Sequence, residues 1–438
     1  MFQTYKEAIE WIHARLRLGM KPGLSRMEWM MEKLNHPERR IKTVHIGGTN
    51  GKGSTVTYLR SILQEGGFKV GTFTSPYFEQ FNERISVNGQ PISDEEIVQL
   101  TNVIKPLSDE LEKTDLGAPT EFEVITAMSF YYYAFVNPVD IVLYEVGLGG
   151  RLDSTNIIHP LLSIITSIGL DHTNILGESY AEIAYEKAGI IKNGVGLITA
   201  VKQPEALEVI RNQAREKKSA MYLLGEQFSV NNHHSLTGGE SFNFQSIFQA
   251  FDELEISMIG EHQVENASLA VMATLLLNKY YSFMVEEEQI KAGLKKAYWP
   301  GRFEVMSESP LVVIDGAHNE EGITTLVNEL EKRYSNKKKN IIFTALSDKK
   351  LDKIIMKLDQ VADKITFVEF DYPRASRAED LFSMSQSPNK HLGKDWKSEL
   401  EQQLTQLDEE EMLVITGSLY FLSEVKPSLL NLLNKAFF

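Results

Sequence analysis

The chain of 438 residues contains no cysteine. This absence excludes a disulfide framework, a thiolate metal site and a cysteine nucleophile, and it fits a reducing compartment. Basic residues are also in deficit, because 45 lysines and arginines stand against 60 acidic residues and give a formal net charge of −15. A nucleic-acid partner usually requires a basic face, so we expect none here. The short basic segment NKKKN, at residues 336–340, is interpreted as a solvated loop or helix end.

Long apolar runs are missing as well. The longest covers the 13 residues 124–136. A membrane-spanning helix needs about 20 residues, so we expect a buried helix there and no membrane partner. The first 16 residues have amphipathic helical spacing and lack the layout of a signal peptide. These features predict a cytoplasmic protein, which we expect to be monomeric and to act on small molecules.

Apolar runs that are typical of buried strands alternate along the chain with segments of helical spacing. Residues 42–48 and 139–147 are near-continuous apolar runs, as expected for parallel strands that are covered on both faces. The pattern predicts an α/β fold with a mainly parallel sheet in residues 1–297 and a smaller α/β domain in residues 298–438. Residues 225–260 are rich in strand-forming residues, but their spacing predicts no particular fold.

A glycine-rich stretch, HIGGTNGKGST at residues 45–55, lies between a predicted strand and a predicted helix. Glycines allow backbone N–H groups to turn toward phosphate oxygens, and the helix N-terminus adds the positive end of its dipole. Lys52 can reach the β- and γ-phosphates, and the hydroxyl of Ser54 or Thr55 can bind Mg²⁺. The stretch departs from the common phosphate-loop pattern, because one early glycine is absent and Gly53 separates the lysine from the serine. Its context nevertheless predicts a nucleoside triphosphate site.

Polar residues follow several of the predicted strands. Ser75 and Pro76 come after the second strand, Glu145 ends a buried apolar strand, and Asp171 and His172 follow another. A carboxylate at such a position is costly unless it is paired or binds a metal, and Mg²⁺ prefers oxygen ligands. Ligands collect at the carboxyl ends of parallel strands. Taken singly, the serine–proline pair also fits a simple turn, and the histidine fits a structural role.

The second half of the chain offers fewer candidates. Asp315 and His318 lie between an apolar strand and a helix, where an N-capping aspartate and an exposed histidine would look the same. Arg302, close to the predicted domain boundary, has the chemistry to clamp a γ-phosphate from across a cleft. Lys187 lies inside a predicted helix, and the sequence by itself favours a surface lysine there.

Ten segments carry a family resemblance when they are taken together and in order: GTNGKGS, TSPYFEQFNERI, PTEFEVITA, EVGLGGRLDSTN, LDHTNILG, IAYEKAGI, GEHQVENA, PGRFE, DGAHN and TGSLY. They span residues 48–420, and the chain resembles the folylpolyglutamate synthase/dihydrofolate synthase family within the Mur-type ATP-dependent amide ligases. GTNGKGS marks the wider group, whereas TSPYFEQFNERI with GLGGRLDSTN is more specific to the folate branch. The resemblance implies a P-loop-type N-terminal domain and a Rossmann-like C-terminal domain.

The resemblance also implies a role for individual residues. ATP would be bound by Gly48, Thr49, Asn50, Gly51, Lys52, Gly53, Ser54, Asn266, Arg302 and Asp315. Mg²⁺ would be bound by Ser54, Ser75, Glu145 and His172. The acceptor substrate, with its pterin, would contact Pro76, Thr120, Glu121, Phe122, Glu123, Leu152, Asp153 and Ser154. The catalytic residues would be Lys52, Lys187, which matches a lysine that is carbamylated in this family, and His318 near the reacting phosphate.

The activity implied is the ATP-dependent addition of L-glutamate to a folate through an acyl phosphate. The sequence leaves open whether dihydropteroate is also an acceptor. One alternative is a sister ligase that adds an amino acid to a cell-wall precursor, against which only the folate-branch segments argue. Another is a GTPase-type switch, which should carry an N-K-x-D segment. Asn-Lys occurs at positions 278, 336, 389 and 434, and none of these pairs is followed by aspartate two positions later.

Overall fold

The computed structural model describes residues 1–19, 21–347 and 349–436. The strands of this described part are β1 (Thr43–Gly47), β2 (Val70–Phe73), β3 (Ile85–Val87), β4 (Gln90–Pro91), β5 (Ile141–Glu145), β6 (Leu162–Ile165), β7 (Gly196–Thr199), β8 (Met221–Leu223), β9 (Phe228–Leu236), β10 (Gly239–Ser246), β11 (Ala250–Ile256), β12 (Glu304–Glu308), β13 (Leu311–Asp315), β14 (Lys338–Phe343), β15 (Lys364–Phe367), β16 (Lys390–Leu392) and β17 (Glu411–Thr416). Its α-helices are α1 (Tyr5–His13), α2 (Ser25–Lys33), α3 (Lys52–Glu65), α4 (Asp94–Leu111), α5 (Glu121–Tyr131), α6 (Thr173–Leu176), α7 (Tyr180–Ala188), α8 (Pro204–Glu216), α9 (Glu261–Tyr281), α10 (Glu287–Lys296), α11 (Glu320–Tyr334), α12 (Leu351–Val361), α13 (Ala378–Met384), α14 (Trp396–Gln406) and α15 (Leu419–Ala436).

The largest sheet has the strand order β4-β3-β2-β5-β1-β6-β7-β8 in the described part of the chain. β2, β5, β1, β6, β7 and β8 are parallel, and β3 and β4 add an antiparallel edge. The predicted strands at residues 42–48 and 139–147 are β1 and β5, and both are buried throughout, as their continuous apolar sequences predict. Because β2, β5, β1 and β6 are neighbours and parallel, the loops that follow them meet at one edge of the sheet.

The C-terminal sheet has the order β12-β13-β17-β14-β15-β16 over the residues described. β12 is antiparallel to β13, and the remaining neighbours are parallel. The observed architecture confirms the predicted α/β fold with a mainly parallel first sheet and a smaller second α/β unit. The interpretation of NKKKN as a solvated loop was wrong, because Lys338 begins β14 and Lys339 is buried. Its alkyl stem packs on the sheet while its amine donates to a backbone carbonyl at residue 337.

Residues 228–256 form a separate three-stranded antiparallel sheet, β9 to β11. This sheet is held against α11 of the C-terminal unit by Arg333, which donates to the backbone oxygen of Leu236 at 2.8 Å and to the carboxylate of Glu240. Glu240 has no exposed surface, and it also accepts from the backbone N–H of Gly260 at 2.7 Å. The small sheet therefore fixes the start of α9 relative to α11, and both helices line the cavity described below.

Helix starts agree with the capping chemistry in the sequence. Ser93 with Glu96 forms a capping box at α4, and Thr120 with Glu123 forms another at α5. The apolar run 124–136 is helical, as predicted, because it forms most of α5 and the helical turn Tyr132–Val136 after it; it is largely buried up to Tyr133, whereas Phe135 is 40% exposed. The amphipathic N-terminal segment contains α1, also as predicted. No helix among the described residues combines the length and the apolar composition that crossing a membrane requires.

Phe78 links the two α/β units. It lies in the loop after β2, is 6% exposed, and packs in the core of the C-terminal unit beside Ile314 and Phe421. A Cβ added to Gly301 would lie 3.0 Å from its ring, so glycine makes room for it at the start of the C-terminal unit. Burying an aromatic ring contributes roughly 2–3 kcal/mol. The loop that carries Ser75 is therefore tied to both sides of the cavity.

Candidate active site

A cavity of about 340 Å³ lies between the carboxyl ends of the first sheet and those of the C-terminal sheet. It brings together sixteen of the residues that the sequence indicated: Gly48, Thr49, Asn50, Gly51, Lys52, Gly53, Ser54, Ser75, Pro76, Glu145, His172, Lys187, Asn266, Arg302, Asp315 and His318. These residues come from the carboxyl ends of β1, β2, β5, β6 and β13 or the loops after them, from α3, α7 and α9, and, for Arg302, from the segment before β12. The topology places them together although they are far apart in the sequence.

The phosphate loop is shaped by glycine conformation and by contacts to the loop after β6. Gly51 has φ +88°, and a Cβ there would lie 2.2 Å from the side-chain oxygen of Asn266. The hydroxyl of Thr166 donates to the backbone oxygen of Asn50 at 2.6 Å, which pins the loop from the other side. α3 begins directly after the loop, at Lys52. The backbone N–H groups of Thr49 and Asn50 donate to Ser167 at 2.8 and 3.0 Å, so the N–H groups that remain for an anion are those at the N-terminus of α3.

Two buried lysines point back at this loop. The amine of Lys52 donates to the backbone oxygens of Gly48 and Thr49 at 3.1 Å each, and that of Lys187 donates to Gly48 at 3.0 Å. Burial, and then the charge of Lys52, lower the pKa of Lys187 to about 7. Burial also lowers the pKa of Lys52, against the opposing effect of Glu145. The interpretation of Lys187 as a surface lysine was wrong, because its side chain lies on the inward face of α7 and only 5% of its surface is exposed.

Glu145 is the buried carboxylate at this edge of the sheet, with 5% of its surface exposed. Burial raises the pKa of Glu145 to about 6, although Lys52 and Arg302 favour its ionised form. One of its oxygens accepts from the backbone N–H of Ser75 at the long distance of 3.3 Å. A buried carboxylate held so loosely has capacity for a cation.

The donor set around Glu145 fits Mg²⁺. The hydroxyls of Ser54 and Ser75 line the same cavity, and oxygen atoms are the ligands that Mg²⁺ prefers. His172 also lines the cavity, but imidazole is a more usual ligand for softer divalent metals. Residues 1–19, 21–347 and 349–436 hold no group of three or more His, Cys, Asp or Glu side chains placed to bind a metal. Mg²⁺ is commonly held by one or two carboxylates together with substrate phosphates and water.

The C-terminal wall of the cavity carries Asp315, His318 and Arg302. The oxygens of Asp315 accept from the backbone N–H groups of Phe303 at 2.7 Å and Ala317 at 2.8 Å. Asp315 is not the N-cap of α11, which is Asn319, so the capping alternative was wrong. Burial, and then Lys349, lower the pKa of His318 to about 4. The ring is therefore neutral, and its Nδ1–H donates to the backbone oxygen of residue 316 at 2.8 Å.

Direct contacts join the two walls, and sequence reasoning singled out Asp171 and Asn50 on one side but neither of their partners, Lys349 and Asn319. Lys349 pairs with Asp171 at 2.6 Å between the amine and one carboxylate oxygen, and both side chains are at most 10% exposed. Asn50 and Asn319 exchange two amide hydrogen bonds of 3.2 and 2.9 Å. Burial opposes ionisation of Asp171, but nearby positive charge, first that of Lys349, more than offsets it, so the pKa of Asp171 is lowered. The phosphate loop is thus tied to the start of α11.

Other residues that line the cavity were not singled out from the sequence. His262, Gln263 and Glu321 each have one buried side-chain atom with no hydrogen-bond partner in the described part of the chain. Buried polar atoms are nearly always satisfied, so these three atoms are candidates for ligand contacts. The first two belong to a segment that carries the family resemblance, whereas nothing in the sequence around Glu321 indicated a site.

The predicted pterin region lies beside the cavity. Thr120, Glu121, Phe122, Glu123, Leu152, Asp153 and Ser154 do not belong to its lining among the described residues. Glu123 pairs with Arg26 at 2.9 Å and accepts from the N-cap Thr120, so local contacts use its carboxylate. Phe122 packs on Gly147, where a Cβ would lie 2.5 Å from the ring. Gly147 lines the cavity, so Phe122 touches its wall from behind.

Glu121 and Leu152 differ from their neighbours in this region. The carboxylate of Glu121 lies 3.6 Å from the guanidinium of Arg84, which in turn donates to the hydroxyl of Ser75 at 3.4 Å. Leu152 is 37% exposed, so the loop after β5 presents this apolar side chain to solvent. These two side chains therefore remain available to a ligand that extends outward from Ser75.

Known proteins match the chain over nearly its whole length. The Mur ligase middle domain matches residues 46–274, and the Mur ligase glutamate ligase domain matches residues 301–419. A dihydrofolate synthase/folylpolyglutamate synthase from Bacillus subtilis (strain 168) is 48% identical over 98% of this chain and 100% of its own length.

Solved structures agree with this result. An FPGS-AMPPCP-folate complex has a TM-score of 0.86 and 30% identity, covering 98% of this chain and 100% of its own. The Mycobacterium tuberculosis folylpolyglutamate synthase complexed with ADP and AMPPCP has a TM-score of 0.88 and 28% identity, covering 97% of this chain and 98% of its own. The similarity therefore includes both α/β units and the cavity between them.

Proposed function

Because the chain belongs to the Mur ligase family and, within it, to the folylpolyglutamate synthases, we propose that it uses ATP to join L-glutamate to a carboxylate of a folate. The observation that carries this proposal is the cavity in which a phosphate loop, a buried carboxylate and side chains of the C-terminal unit meet. The matching structures that contain AMPPCP, ADP and folate support the same classes of ligand here.

In the first step, a carboxylate oxygen of the acceptor attacks the γ-phosphorus of ATP. The bond to the β,γ-bridging oxygen breaks, and ADP and an acyl phosphate result. Negative charge is spread over the transferring phosphoryl group, and Lys52 and Arg302 approach it from opposite walls. The N–H groups of residues 51–54 hold the remaining phosphates at the start of α3, while those of Thr49 and Asn50 fix the loop on Ser167. Asn266 and Asp315 are assigned to the nucleotide.

Mg²⁺ would be held by Glu145, Ser54 and Ser75, with His172 beside them. When bound, the ion neutralises charge on the phosphate oxygens. The chain contributes by keeping the carboxylate of Glu145 buried yet close to Lys52 and Arg302, which favour its charged form. Removing divalent metal with EDTA should therefore stop turnover, and adding Mg²⁺ should restore it.

We extend the proposal to a carbamate on Lys187. The lysine ammonium first loses one proton, and the neutral amine then adds to CO₂, forms an N–C bond and loses a second proton, so that a cation becomes an anion. The pKa of about 7 for the Lys187 amine supports this chemistry, because a large fraction of the amine is neutral near pH 7. The amine lies 3.0 Å from the backbone oxygen of Gly48, so the carbamate would stand beside the phosphate loop.

In the second step, the amine of glutamate attacks the acyl carbon and loses a proton. The bond from carbon to the phosphate oxygen breaks, and inorganic phosphate leaves. Water would hydrolyse the acyl phosphate, so the site must be closed during this step. We propose that residues 1–297 and 298–438 are the two units that close, with His318 near the phosphate. The contact between Asn50 and Asn319 supports this arrangement.

We place the acceptor beside Ser75, along the loop after β5. Pro76, Glu121, Phe122, Leu152 and Ser154 are assigned to it directly. Thr120, Glu123 and Asp153 are assigned a supporting role, because their polar atoms are used in local hydrogen bonds. The double name of the Bacillus subtilis relative supports testing dihydropteroate as a second acceptor. The cytoplasmic location and the monomeric state stay predictions.

An isotope experiment tests the proposed chemistry. A folate labelled with ¹⁸O in its terminal carboxylate is incubated with ATP, Mg²⁺ and glutamate, and the phosphate released is analysed by mass spectrometry. We expect one labelled oxygen in each phosphate, because a carboxylate oxygen becomes the bridging atom of the acyl phosphate. Release of unlabelled phosphate would contradict this intermediate.

A parallel assay of acceptors addresses specificity. Tetrahydrofolate, dihydropteroate and a cell-wall precursor carboxylate are compared at equal concentration, with ATP, glutamate and alanine. We expect glutamate to be joined to tetrahydrofolate. Turnover of the cell-wall precursor with either amino acid, and not of a folate, would favour the sister ligase instead.

A further inference from the structure

His45 lies in the middle of β1, two residues before the glycines of the phosphate loop, and has no exposed surface. Its Nε2 lies 2.8 Å from the hydroxyl oxygen of Thr155, which follows the loop after β5. Its Nδ1 is buried and has no hydrogen-bond partner within the described residues. The side chain therefore contacts the loop after β5, although the backbone leads into the phosphate loop.

The direction of each hydrogen bond in this chain of contacts follows from the groups present. The hydroxyl of Thr155 lies 2.5 Å from an oxygen of Asp153, and a carboxylate can only accept, so the threonine donates. The threonine oxygen then accepts from His45, whose proton must be on Nε2. Burial, and then the charge of Lys192, lower the pKa of His45 to about 3, which agrees with a neutral ring.

Asp153 is the end of this chain of contacts, and it organises the loop after β5. Its carboxylate accepts from the backbone N–H of Leu148 at 2.9 Å and from that of Thr155 at 3.0 Å. Gly147, Leu148 and Gly149 line the cavity. The aspartate thus joins the two ends of the loop that forms this wall, and the loop presents Leu152 to solvent.

We propose that His45 is a positioning residue for the acceptor substrate, acting through Thr155 and Asp153 on the loop at residues 147–155. This inference rests on the proposed function, because it takes that loop as the wall against which the folate lies. His45 holds the threonine hydroxyl in the orientation that donates to Asp153, and Asp153 in turn fixes the amide of Leu148. The histidine contacts neither ATP nor the acceptor.

The experiment compares two substitutions, each of which places an amide nitrogen at the position of one of the two ring nitrogens of the imidazole. In His45→Gln the side-chain amide nitrogen can occupy the place of Nε2 and donate to Thr155, whereas in His45→Asn it reaches only the place of Nδ1. We expect His45→Asn to raise the KM for the folate about tenfold to hundredfold, as for a lost buried hydrogen bond that positions a substrate. The KM for ATP should change less than twofold, and His45→Gln should restore the folate KM to near the wild-type value. Equal effects of both variants on the folate KM would overturn the proposal, as would a parallel rise in the ATP KM.

A second pair of variants remains informative if His45→Asn folds poorly. Thr155→Val keeps the volume of the threonine and removes the hydroxyl that links His45 to Asp153. It should raise the folate KM as His45→Asn does, and adding His45→Asn to it should have no further effect on the folate KM, because the link is already broken. A wild-type folate KM for Thr155→Val, or additive effects in the double variant, would show that His45 does not act through this hydroxyl.

Hydrogen exchange separates this inference from the proposed function, because it requires no turnover. In His45→Asn, the amides of residues 147–155 should exchange faster by about tenfold, while those of residues 56–63 in α3 keep the wild-type rate. Uniform acceleration of both segments, or of neither, would overturn the inference whatever the enzyme's activity. Wild-type protein that forms no ADP with folate and glutamate would instead overturn the proposed function.

Discussion

The wall of the cavity built by the first sheet differs from the wall built by the C-terminal unit. On the first wall, the amines of Lys52 and Lys187 donate to backbone oxygens of the phosphate loop, and Glu145 accepts one long hydrogen bond. On the second wall, both oxygens of Asp315 accept short backbone hydrogen bonds, and Lys349 is held in a buried ion pair. The amines of Lys52 and Lys187 have only backbone partners, whereas the amine of Lys349 is committed to the carboxylate of Asp171.

This difference indicates that some groups of the site serve binding and chemistry, whereas others serve stability. Groups whose partners are weak, or are backbone atoms, can turn to a substrate without leaving another charge unpaired, so they suit binding and chemistry. Groups whose partners are charged and buried resist such a change, because breaking the pair leaves a charge buried without a partner. We therefore expect substitutions on the first wall to reduce turnover more than stability. Substitutions in the pair that joins the walls should do the reverse.

The largest effect is expected for Lys52→Ala. The lysine is assigned to the transferring phosphoryl group, and loss of one such donor typically reduces kcat by about 10²–10³-fold. Burial lowers the pKa of the Lys52 amine, so removing this amine should leave the thermal midpoint of unfolding near the wild-type value. Steady-state kinetics and calorimetry measure the two quantities. Lys295→Ala, at an exposed residue of α10 that pairs with Glu255 at 2.7 Å and does not line the cavity, is the matched control and should change neither.

Lys187→Ala is expected to have the next largest effect on turnover. Without the amine no carbamate can form, and the anion beside the phosphate loop is lost. Short carboxylic acids such as acetate should restore part of the activity of this variant and none of that of Lys52→Ala, because only the former lacks a carboxylate. Wild-type kcat in Lys187→Ala would rule out a carbamate in this chain.

Substitutions in the Asp171–Lys349 pair, which joins the two walls, should lower the free energy of unfolding. Asp171→Asn leaves Lys349 buried without its partner, which typically costs about 3–5 kcal/mol. The double variant with Lys349→Met should be less destabilised than the sum of the two single variants. Because the pKa of Asp171 is lowered in the folded protein, its contribution is present above the unfolded value of about 3.9 and is lost as the pH falls further. The difference from wild type should therefore shrink below about pH 4, and a constant difference would argue against this pair.

The order of strands and helices was predictable because burial on both faces of a parallel sheet requires continuous apolar strands. The runs at residues 42–48 and 139–147 illustrate this, since β1 and β5 lie at the positions predicted. The small sheet at residues 228–256 was not predictable in detail, because its strands are partly exposed and alternate irregularly. The prediction for NKKKN was wrong for a related reason. Its lysines lie where β14 begins, and a lysine at the start of a strand can be buried, as Lys339 is.

The site was predictable where it follows a strand. Ser75, Glu145 and His172 lie after neighbouring strands, and strand order alone brings them together. Lys349 was not predictable, because its role depends on how the C-terminal unit packs against Asp171. The burial of Lys187 was missed for the same reason, since a single charged residue in a short helix gives no signal about which side faces the core. Sequence patterns report the neighbours within an element, whereas ion pairs depend on contacts between elements.

The most direct test is to measure ADP release in the presence of ATP and Mg²⁺ while the folate and glutamate are omitted one at a time. The substrates must contact both walls of the cavity before the amide forms, so sustained ADP release should require the folate and glutamate together. One ADP should be released for each amide bond made. ADP release at the full rate when both are absent would contradict a ligase function for this cavity.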